Sequence, residues 1–94
     1  MAQVKWSDAA LADIFEIGEY IAQSSPIMAE LVTAAILSAG DELLHAPRRG
    51  RIIPEIDKDS AREIFYKSYR IMYDLNGENI EIVAVIHGAR EFKL

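Results

Sequence analysis

The arginines of this chain are the residues whose type and spacing could do chemistry. A guanidinium stays charged at any working pH, and its planar fork of donors fits a phosphate or a carboxylate. All six arginines lie beyond residue 46, with Lys67 among them: Arg48, Arg49, Arg51, Arg62, Arg70 and Arg90. This pattern predicts an anion-binding surface. The alternative is that they are surface side chains paired with nearby acids, namely Glu55, Glu63, Asp74 and Glu91.

Arg70 and His87 are the positions best placed to take part in a reaction. Arg70 lies inside a strand pattern, which would hold it more rigidly than a loop does. An imidazole suits general acid or base catalysis, although His87 can equally be a structural histidine at a strand end. Tyr66, Tyr69 and Tyr73 could stack on nucleic-acid bases, or pack across strands at their alternating spacing.

Other chemistries lack the residues they need. The chain has no cysteine, which excludes disulfides, thiolate metal sites and cysteine nucleophiles. His45 and His87 are isolated, Gly50 and Gly88 belong to no phosphate loop, and no serine lies in a nucleophile motif. We therefore expect no metal and no cofactor.

The first half of the chain predicts a short strand followed by a helical hairpin. Gln3–Trp6 alternates polar and apolar residues, and Ser7 can cap a helix that runs from about Asp8 to Gln23. Ser25 and Pro26 are typical of a second helix start, and apolar residues keep helical spacing to about Leu44. A two- or three-residue connection makes the two helices antiparallel.

The second half predicts an antiparallel sheet. Alternating or β-branched residues mark three strands, at Ala61–Lys67, Tyr69–Leu75 and Ile80–His87, of which the last is expected to be central. Asn76-Gly77 favours a type I′ turn between the last two strands. Ile52–Ile56 is a further extended piece that Pro54 confines to an edge or a loop. The order β-α-α-β-β-β predicts an α+β fold, a helical hairpin packed on a small, mainly antiparallel sheet.

Length and charge limit the class of protein. Ninety-four residues make one domain, spanning residues 1–94, and no apolar run is long enough to cross a membrane. Residues 1–46 hold one lysine and seven acids, a net charge of −6, whereas residues 47–94 hold nine basic and eight acidic residues, a net charge of +1. The overall −5 argues against coating of nucleic acid, and we expect a cytoplasmic protein.

Short motifs run through nearly the whole chain in a fixed order. They are Trp6-Ser7, Asp13-Ile14, Tyr20-Ile21, Ser25-Pro26, Pro47-x-x-Gly50-Arg51-x-x-Pro54-Glu55, Arg62-Glu63, Tyr69-Arg70-Ile71-x-Tyr73 and His87-Gly88-x-Arg90. The ordered set resembles the RelE/ParE superfamily of bacterial toxins from type II toxin–antitoxin modules, whose compact fold has the same element order. The pieces around Gly50, Arg62 and His87 are similar to the ParE, or plasmid-stabilisation, branch.

The resemblance implies one of two actions. RelE-type members are ribosome-dependent endoribonucleases that cut mRNA, whereas ParE-type members poison DNA gyrase and block replication without a reaction of their own. In both types, a cognate antitoxin neutralises the toxin, so we expect a toxin–antitoxin hetero-oligomer. Met28 and Met72 are candidate residues of the antitoxin groove, and burial in the core is the favoured alternative for Met72. An inactive member that only binds its antitoxin is a third alternative.

The resemblance also implies which residues would be catalytic and which would bind a partner. Under the nuclease alternative, catalysis falls to Arg70, Arg90 and His87, but RelE-type members carry lysines where this chain has Ala61-Arg62-Glu63. A negatively charged chain is also disfavoured at the anionic ribosome. We therefore favour the ParE interpretation, with gyrase as the partner rather than the ribosome and mRNA. Its expected binding residues are Arg48, Arg49, Arg51, Glu55, Arg62, Glu63 and Tyr73.

Overall fold

The chain folds into two helices packed on one face of a five-stranded sheet. The computed structural model describes residues 2–88. Its elements are, in order, β1 (Val4–Trp6), α1 (Asp8–Ala22), α2 (Pro26–Asp41), a 3₁₀ turn (Glu42–His45), β2 (Arg51–Ile52), β3 (Ala61–Tyr66), β4 (Tyr69–Asn76) and β5 (Asn79–His87). This architecture confirms the predicted α+β class, with a helical hairpin on a mainly antiparallel sheet.

Both helices begin where the sequence predicts, because a serine caps each one. The hydroxyl of Ser7 accepts a hydrogen bond from the backbone N–H of Ala10 at 3.0 Å, and that of Ser25 accepts one from Met28 at 3.2 Å. Each cap satisfies a backbone donor that has no partner within its helix. Pro26 fills the first position of α2, where a missing N–H breaks no helical hydrogen bond.

The strand order of the sheet is β1-β5-β4-β3-β2, which places β4 at the centre. β2, β3, β4 and β5 pair antiparallel, whereas β1 is parallel to β5 because the helical hairpin carries the chain back across the sheet. β1 pairs only with Ile80, Glu81 and Ile82 of β5. Beyond that point, a register shift between Met72 and Tyr73 leaves Val83 of β5 without an opposite residue.

Three predicted details are wrong. The second helix becomes a 3₁₀ turn after Asp41 rather than continuing as an α-helix to Leu44. The piece predicted as extended at Ile52–Ile56 does lie at the sheet edge, as Pro54 implied, but only Ile52 of it belongs to a strand, because the chain turns after Ile53, whose carbonyl accepts the N–H of Ile56 at 3.1 Å. β5 is interior but not central, since β1 is its only outer neighbour.

The main core lies between the helices and the sheet. Its most deeply buried side chains come from α1, α2, the 3₁₀ turn and the three long strands: Ala10, Ile14, Val32, Ile36, Leu43, Ile64, Ile71, Tyr73, Ile80, Ile82 and Val85. On the opposite face, the segment 53–60 covers a smaller apolar cluster of Ile53, Ala61 and Met72. Successive strand residues point to opposite faces, so neighbouring residues of β3 and β4 enter different environments.

Gly40 in α2 marks the closest contact between the helices and β1. A Cβ atom at this position would overlap the ring of Trp6 and lie 2.6 Å from Cδ1 of Ile82. We expect Gly40→Ala to lower the free energy of unfolding by about 1–3 kcal/mol, because the indole ring cannot move aside. The measurement is thermal unfolding, with Gly18→Ala in α1 as the control.

The control glycine has more room, since its nearest neighbour would be Cγ2 of Thr33 at 3.2 Å. Gly18→Ala should therefore be close to neutral, because the higher helix propensity of alanine offsets a small adjustment. Equal melting temperatures for the two variants would show that the contact between Gly40 and Trp6 does not constrain the packing.

Candidate functional site

Tyr73 anchors the arginine loop, which we define as residues 47–51. Its ring is fully buried, and its hydroxyl accepts the N–H of Gly50 at 3.0 Å and donates to the carbonyl of Pro47 at 2.7 Å. A Cβ at Gly50 would lie 2.6 Å from the carbonyl oxygen of Glu63, so only glycine fits. Burial raises the pKa of Tyr73, which keeps the phenol protonated and able to donate.

Arg62 is the second anchor of the arginine loop. Its Nη1 donates to the carbonyls of Arg48 at 3.2 Å and Gly50 at 2.9 Å, and its Nε and Nη2 bind the carbonyl and carboxylate of Asp59 at 2.8 and 2.7 Å. Arg48 also pairs with the Asp59 carboxylate, and hydrogen bonds from Arg48 and then Arg62 hold its pKa below the usual value. The donors of Arg62 are therefore used within the protein.

On the opposite face of the sheet, Glu63 and Arg70 form a buried ion pair. Nε of Arg70 lies 2.6 Å from Oε1 of Glu63, while its Nη1 and Nη2 bind the two oxygens of Glu55 at 2.9 and 2.8 Å. The second oxygen of Glu63 accepts from Nε of Arg51 at 2.7 Å. The side chain of Glu63 is 0% exposed and that of Arg70 6%. Two carboxylates and two guanidinium groups thus neutralise one another.

Electrostatics in this network favour the charged form of Arg70. Hydrogen bonds to Glu55 and then to Glu63 raise the pKa of Arg70, against the opposing effect of burial. Breaking a buried pair leaves an uncompensated charge, so such networks hold their geometry tightly. The arrangement fixes Glu55, and with it the 53–60 segment, on the sheet. Arg70 is therefore a structural cation in this state.

Three arginines of the loop remain at the surface. The side chains of Arg48 and Arg51 are 60% and 57% exposed, and Arg49 is exposed without an ion pair to any residue between 2 and 88. The guanidinium of Arg51 lies 5.2 Å from the ring centroid of Phe65, which is itself 48% exposed. A cation over an aromatic face is a stabilising arrangement that leaves both groups open to a partner.

His87 lies at the end of β5, apart from these arginines. Its ring makes an edge-on contact with Tyr69, at 5.6 Å between centroids. Arg90, the other residue assigned to catalysis by the nuclease alternative, falls outside the described residues. The set of Arg70, His87 and Arg90 therefore stays a prediction.

The alternative of simple surface pairing is right for some of the acids. Glu55 and Glu63 do bind arginines, although Arg70 is buried rather than at the surface. Asp74 makes no ion pair with any residue in the described part of the chain, and Glu91 lies outside it. The residue types thus predicted that arginines and acids pair, but not how deeply the pairs are buried.

Two acids have roles that the sequence pattern does not mark. Asp59 joins Arg48 and Arg62, and only its position in the same long loop as other charges hints at this. Oδ2 of Asp13 accepts the N–H of Val85 at 2.9 Å and so closes part of the β5 edge that β1 does not reach. Helical spacing places Asp13 off the apolar stripe, so no sequence signal identifies this contact.

The outer face of the helical hairpin carries exposed apolar side chains. A groove of about 480 Å³ runs between α1 and α2, passes Gly18, and has Glu19 and Glu30 at its rim. Its exposed apolar walls include Leu11 and Phe15, which are 47% and 67% exposed. Met28 is 44% exposed on this hairpin but does not line the groove, so its role as a groove residue stays a prediction. Met72 is fully buried on the far face of the sheet, which confirms core burial, the favoured alternative for this residue.

Within residues 2–88, no group of three or more potential ligands could hold a metal ion. No helix of that part of the chain is both long and apolar enough to cross a bilayer.

Tyr73→Phe tests the anchor of the arginine loop. Removing the hydroxyl leaves the N–H of Gly50 and the carbonyl of Pro47 without their partner, which should cost about 1–3 kcal/mol of unfolding free energy. Chemical denaturation measures the loss. Tyr20→Phe is the control, because that side chain is 74% exposed and should change stability little. Equal stability of the two variants would contradict the anchoring role.

Comparison with known proteins agrees on one family. A family model described as "ParE toxin of type II toxin-antitoxin system, parDE" matches residues 4–92. The protein "Toxin RelE2" of Caulobacter vibrioides is 34% identical over 90 residues, covering 96% of this chain and 99% of that protein. A solved structure titled "Chromosomal ParDE TA system from P. aeruginosa" shares the fold at 20% identity, with a TM-score of 0.76 over 93% of this chain and 96% of the other. The chain therefore belongs to the RelE/ParE superfamily of toxins from type II toxin–antitoxin systems, whose members have a cognate antitoxin as partner.

Proposed function

We propose that this toxin acts in the ParE manner, in the cytoplasm, by binding DNA gyrase and blocking replication. It works by protein–protein contact and carries out no reaction of its own. The match of residues 4–92 to the ParE toxin model supports this branch. The state of Arg70 is the structural observation that carries the proposal.

An RNA-cleaving site needs a cation that is free to stabilise the charge on phosphate in the transition state. Arg70 is the strand arginine that the nuclease alternative assigns to this task. Its Nε, Nη1 and Nη2 are all engaged by Glu63 and Glu55, and its side chain is 6% exposed. An incoming phosphate would meet two carboxylates there, and like charges at close range disfavour a complex by several kcal/mol.

The second candidate function is cleavage of mRNA on the ribosome. One observation favours it: the relative at 34% identity is named Toxin RelE2. Under this candidate, Arg70, His87 and Arg90 form the catalytic set, and Glu55 must release Arg70 before phosphate binds. An inactive chain that only binds its antitoxin remains the third alternative.

Two assays on the purified toxin separate these candidates. Added to gyrase and relaxed plasmid, it should reduce supercoiling and let linear DNA accumulate, because the cleaved complex is trapped. Added to translating ribosomes, it should leave the mRNA intact. Loss of supercoiling in the absence of any RNA cleavage is the expected result.

Cleaved mRNA would contradict the proposal. Arg70→Lys is then the informative variant, since it keeps a positive charge beside Glu63 but lacks the guanidinium fork. Cleavage that disappears in a folded Arg70→Lys protein would assign the reaction to Arg70. A chain that arrests no growth when expressed without its antitoxin would support the inactive alternative.

The same proposal includes where the antitoxin binds. We place it on the outer face of the helical hairpin, where an amphipathic helix can lie in the groove between α1 and α2. The exposed side chains of Phe15 and Leu11, at 67% and 47%, line this groove and are suited to bury its apolar stripe. The net charge of −6 over residues 1–46 favours a helix with basic flanks. The result would be a toxin–antitoxin hetero-oligomer.

Phe15→Glu tests this location. A charge in the groove would have to be desolvated on binding, so we expect at least a tenfold loss of affinity for the product of the adjacent reading frame, measured by calorimetry. Tyr20→Glu is the matched control, because it alters an exposed aromatic residue of α1 that does not line the groove. Equal affinities for both variants would remove the groove as the antitoxin site.

A further inference from the structure

A second surface with different chemistry lies at the β2 edge of the sheet. We call it the arginine edge and define it by the exposed residues Arg48, Arg49, Arg51, Ile52 and Phe65. β2 and β1 are the two outer strands of the sheet, with three strands between them. The arginine edge is thus at the opposite side of the sheet from β1, and it shares no residue with the lining of the helical groove.

The backbone under this edge is held more firmly than a surface loop requires. Tyr73 binds the backbone of Pro47 and Gly50, and Arg62 binds the carbonyls of Arg48 and Gly50. Side chains presented from a fixed backbone lose less conformational entropy when they bind. The anchors therefore prepare Arg48, Arg49 and Arg51 for an external contact, while Tyr73 is fully buried and the Arg62 side chain is only 12% exposed.

Only part of the positive charge of this edge is paired with carboxylates of the same chain. Arg49 forms no ion pair with residues 2–88, and Arg48 pairs with Asp59 in an exposed position where such pairs contribute little. Arg51 shares the Glu63 carboxylate with Arg70. The surface therefore complements carboxylates on a partner.

The apolar residues of the edge decide which class of partner fits. Phe65 is 48% exposed next to Arg51, on the face of the sheet that carries Glu63 and Arg70. Ile52 is 38% exposed on the other face of the same edge. Contacts to DNA phosphates need positive charge but no apolar neighbour, whereas arginine and aromatic side chains together are typical of the energetic centre of protein interfaces. The net charge of −5 also disfavours a nucleic-acid surface.

We infer that the arginine edge docks this toxin on an acidic surface of its protein target, apart from the antitoxin groove. The inference rests on the proposed function, in which the target is a protein. It explains two surfaces of opposite character: the groove with its acidic rim takes a basic partner, and the arginine edge takes an acidic one. Because the two surfaces favour opposite charges, a single segment of one partner is not suited to bind both the groove and the arginine edge.

Three variants test the inference, all in the full chain. Arg49→Glu reverses an exposed charge, Phe65→Ala removes the apolar contact, and Lys5→Glu makes the same charge change on β1 as a matched control. We expect Arg49→Glu and Phe65→Ala each to weaken binding to purified gyrase by about tenfold and to relieve growth arrest. Lys5→Glu should behave as wild type. All three should keep the wild-type circular dichroism spectrum and bind the adjacent-frame antitoxin within twofold.

Other outcomes would overturn the inference. Growth arrest that is unchanged by Arg49→Glu would exclude the edge as a target contact. Parallel loss of antitoxin affinity would place the edge in the antitoxin interface. Loss in Arg49→Glu with full activity in Phe65→Ala, together with binding of the wild type to naked duplex DNA, would identify a nucleic-acid surface instead.

Failure of the proposed function gives a different result. A wild-type toxin that arrests growth but leaves purified gyrase fully active would show that gyrase is the wrong target. The comparison of growth arrest between Arg49→Glu and Lys5→Glu would still decide whether the arginine edge carries the toxic contact.

Discussion

A carboxylate removed from water must be neutralised, and Glu63 imposes that constraint on this fold. Its side chain is 0% exposed, and it satisfies both oxygens with Arg70 and Arg51. Arg70 in turn holds Glu55, which fixes the 53–60 segment over the small apolar cluster on that face of the sheet. A long connection between β2 and β3 is thereby ordered by paired charges rather than by a large core.

Arg62, which precedes Glu63 in β3, holds the arginine loop on the other face of the sheet. Because alternate residues of a strand point in opposite directions, Arg62 lies on the side of Tyr73 while Glu63 lies on the side of Arg70. Arg62 and Tyr73 hold the arginine loop from beneath, and Glu63 and Arg70 hold the segment that follows it. The Arg62-Glu63 motif thus stabilises the loop and the segment that follows it, while Arg48, Arg49 and Arg51 stay exposed.

The elements of the fold could be predicted from the sequence wherever a few adjacent residues determine the local backbone structure. The serine caps of both helices depend on a few adjacent residues, and the structure has them where expected. The turn between β4 and β5 is also at the predicted place, but the predicted type I′ is wrong: Asn76 pairs with Asn79, so Gly77 and Glu78 are the central residues, and of these only Gly77 has a positive φ. The sequence pattern singled out Arg70 because it lies within a strand, and the structure places it in β4 with its guanidinium bound by Glu63 and Glu55. The sequence could not show whether Arg70 is free to bind phosphate or is paired inside the protein, because a strand arginine has the same sequence pattern in both cases. Asp13 was equally hidden, since its hydrogen bond to Val85 joins residues 72 positions apart.

The sequence by itself determined the element types, the hairpin of acidic helices and the concentration of arginine in the second half, because periodicity, capping and composition are local properties. Only the tertiary structure decided which arginines are buried and paired with carboxylates and which stay exposed. It brought Glu55 and Glu63, 15 and 7 positions away, onto Arg70 and left Arg49 exposed. Pairing between distant charges depends on strand register and on a loop path that local preferences do not specify. The same residue type is therefore a buried, paired cation at position 70 and an exposed side chain at position 49.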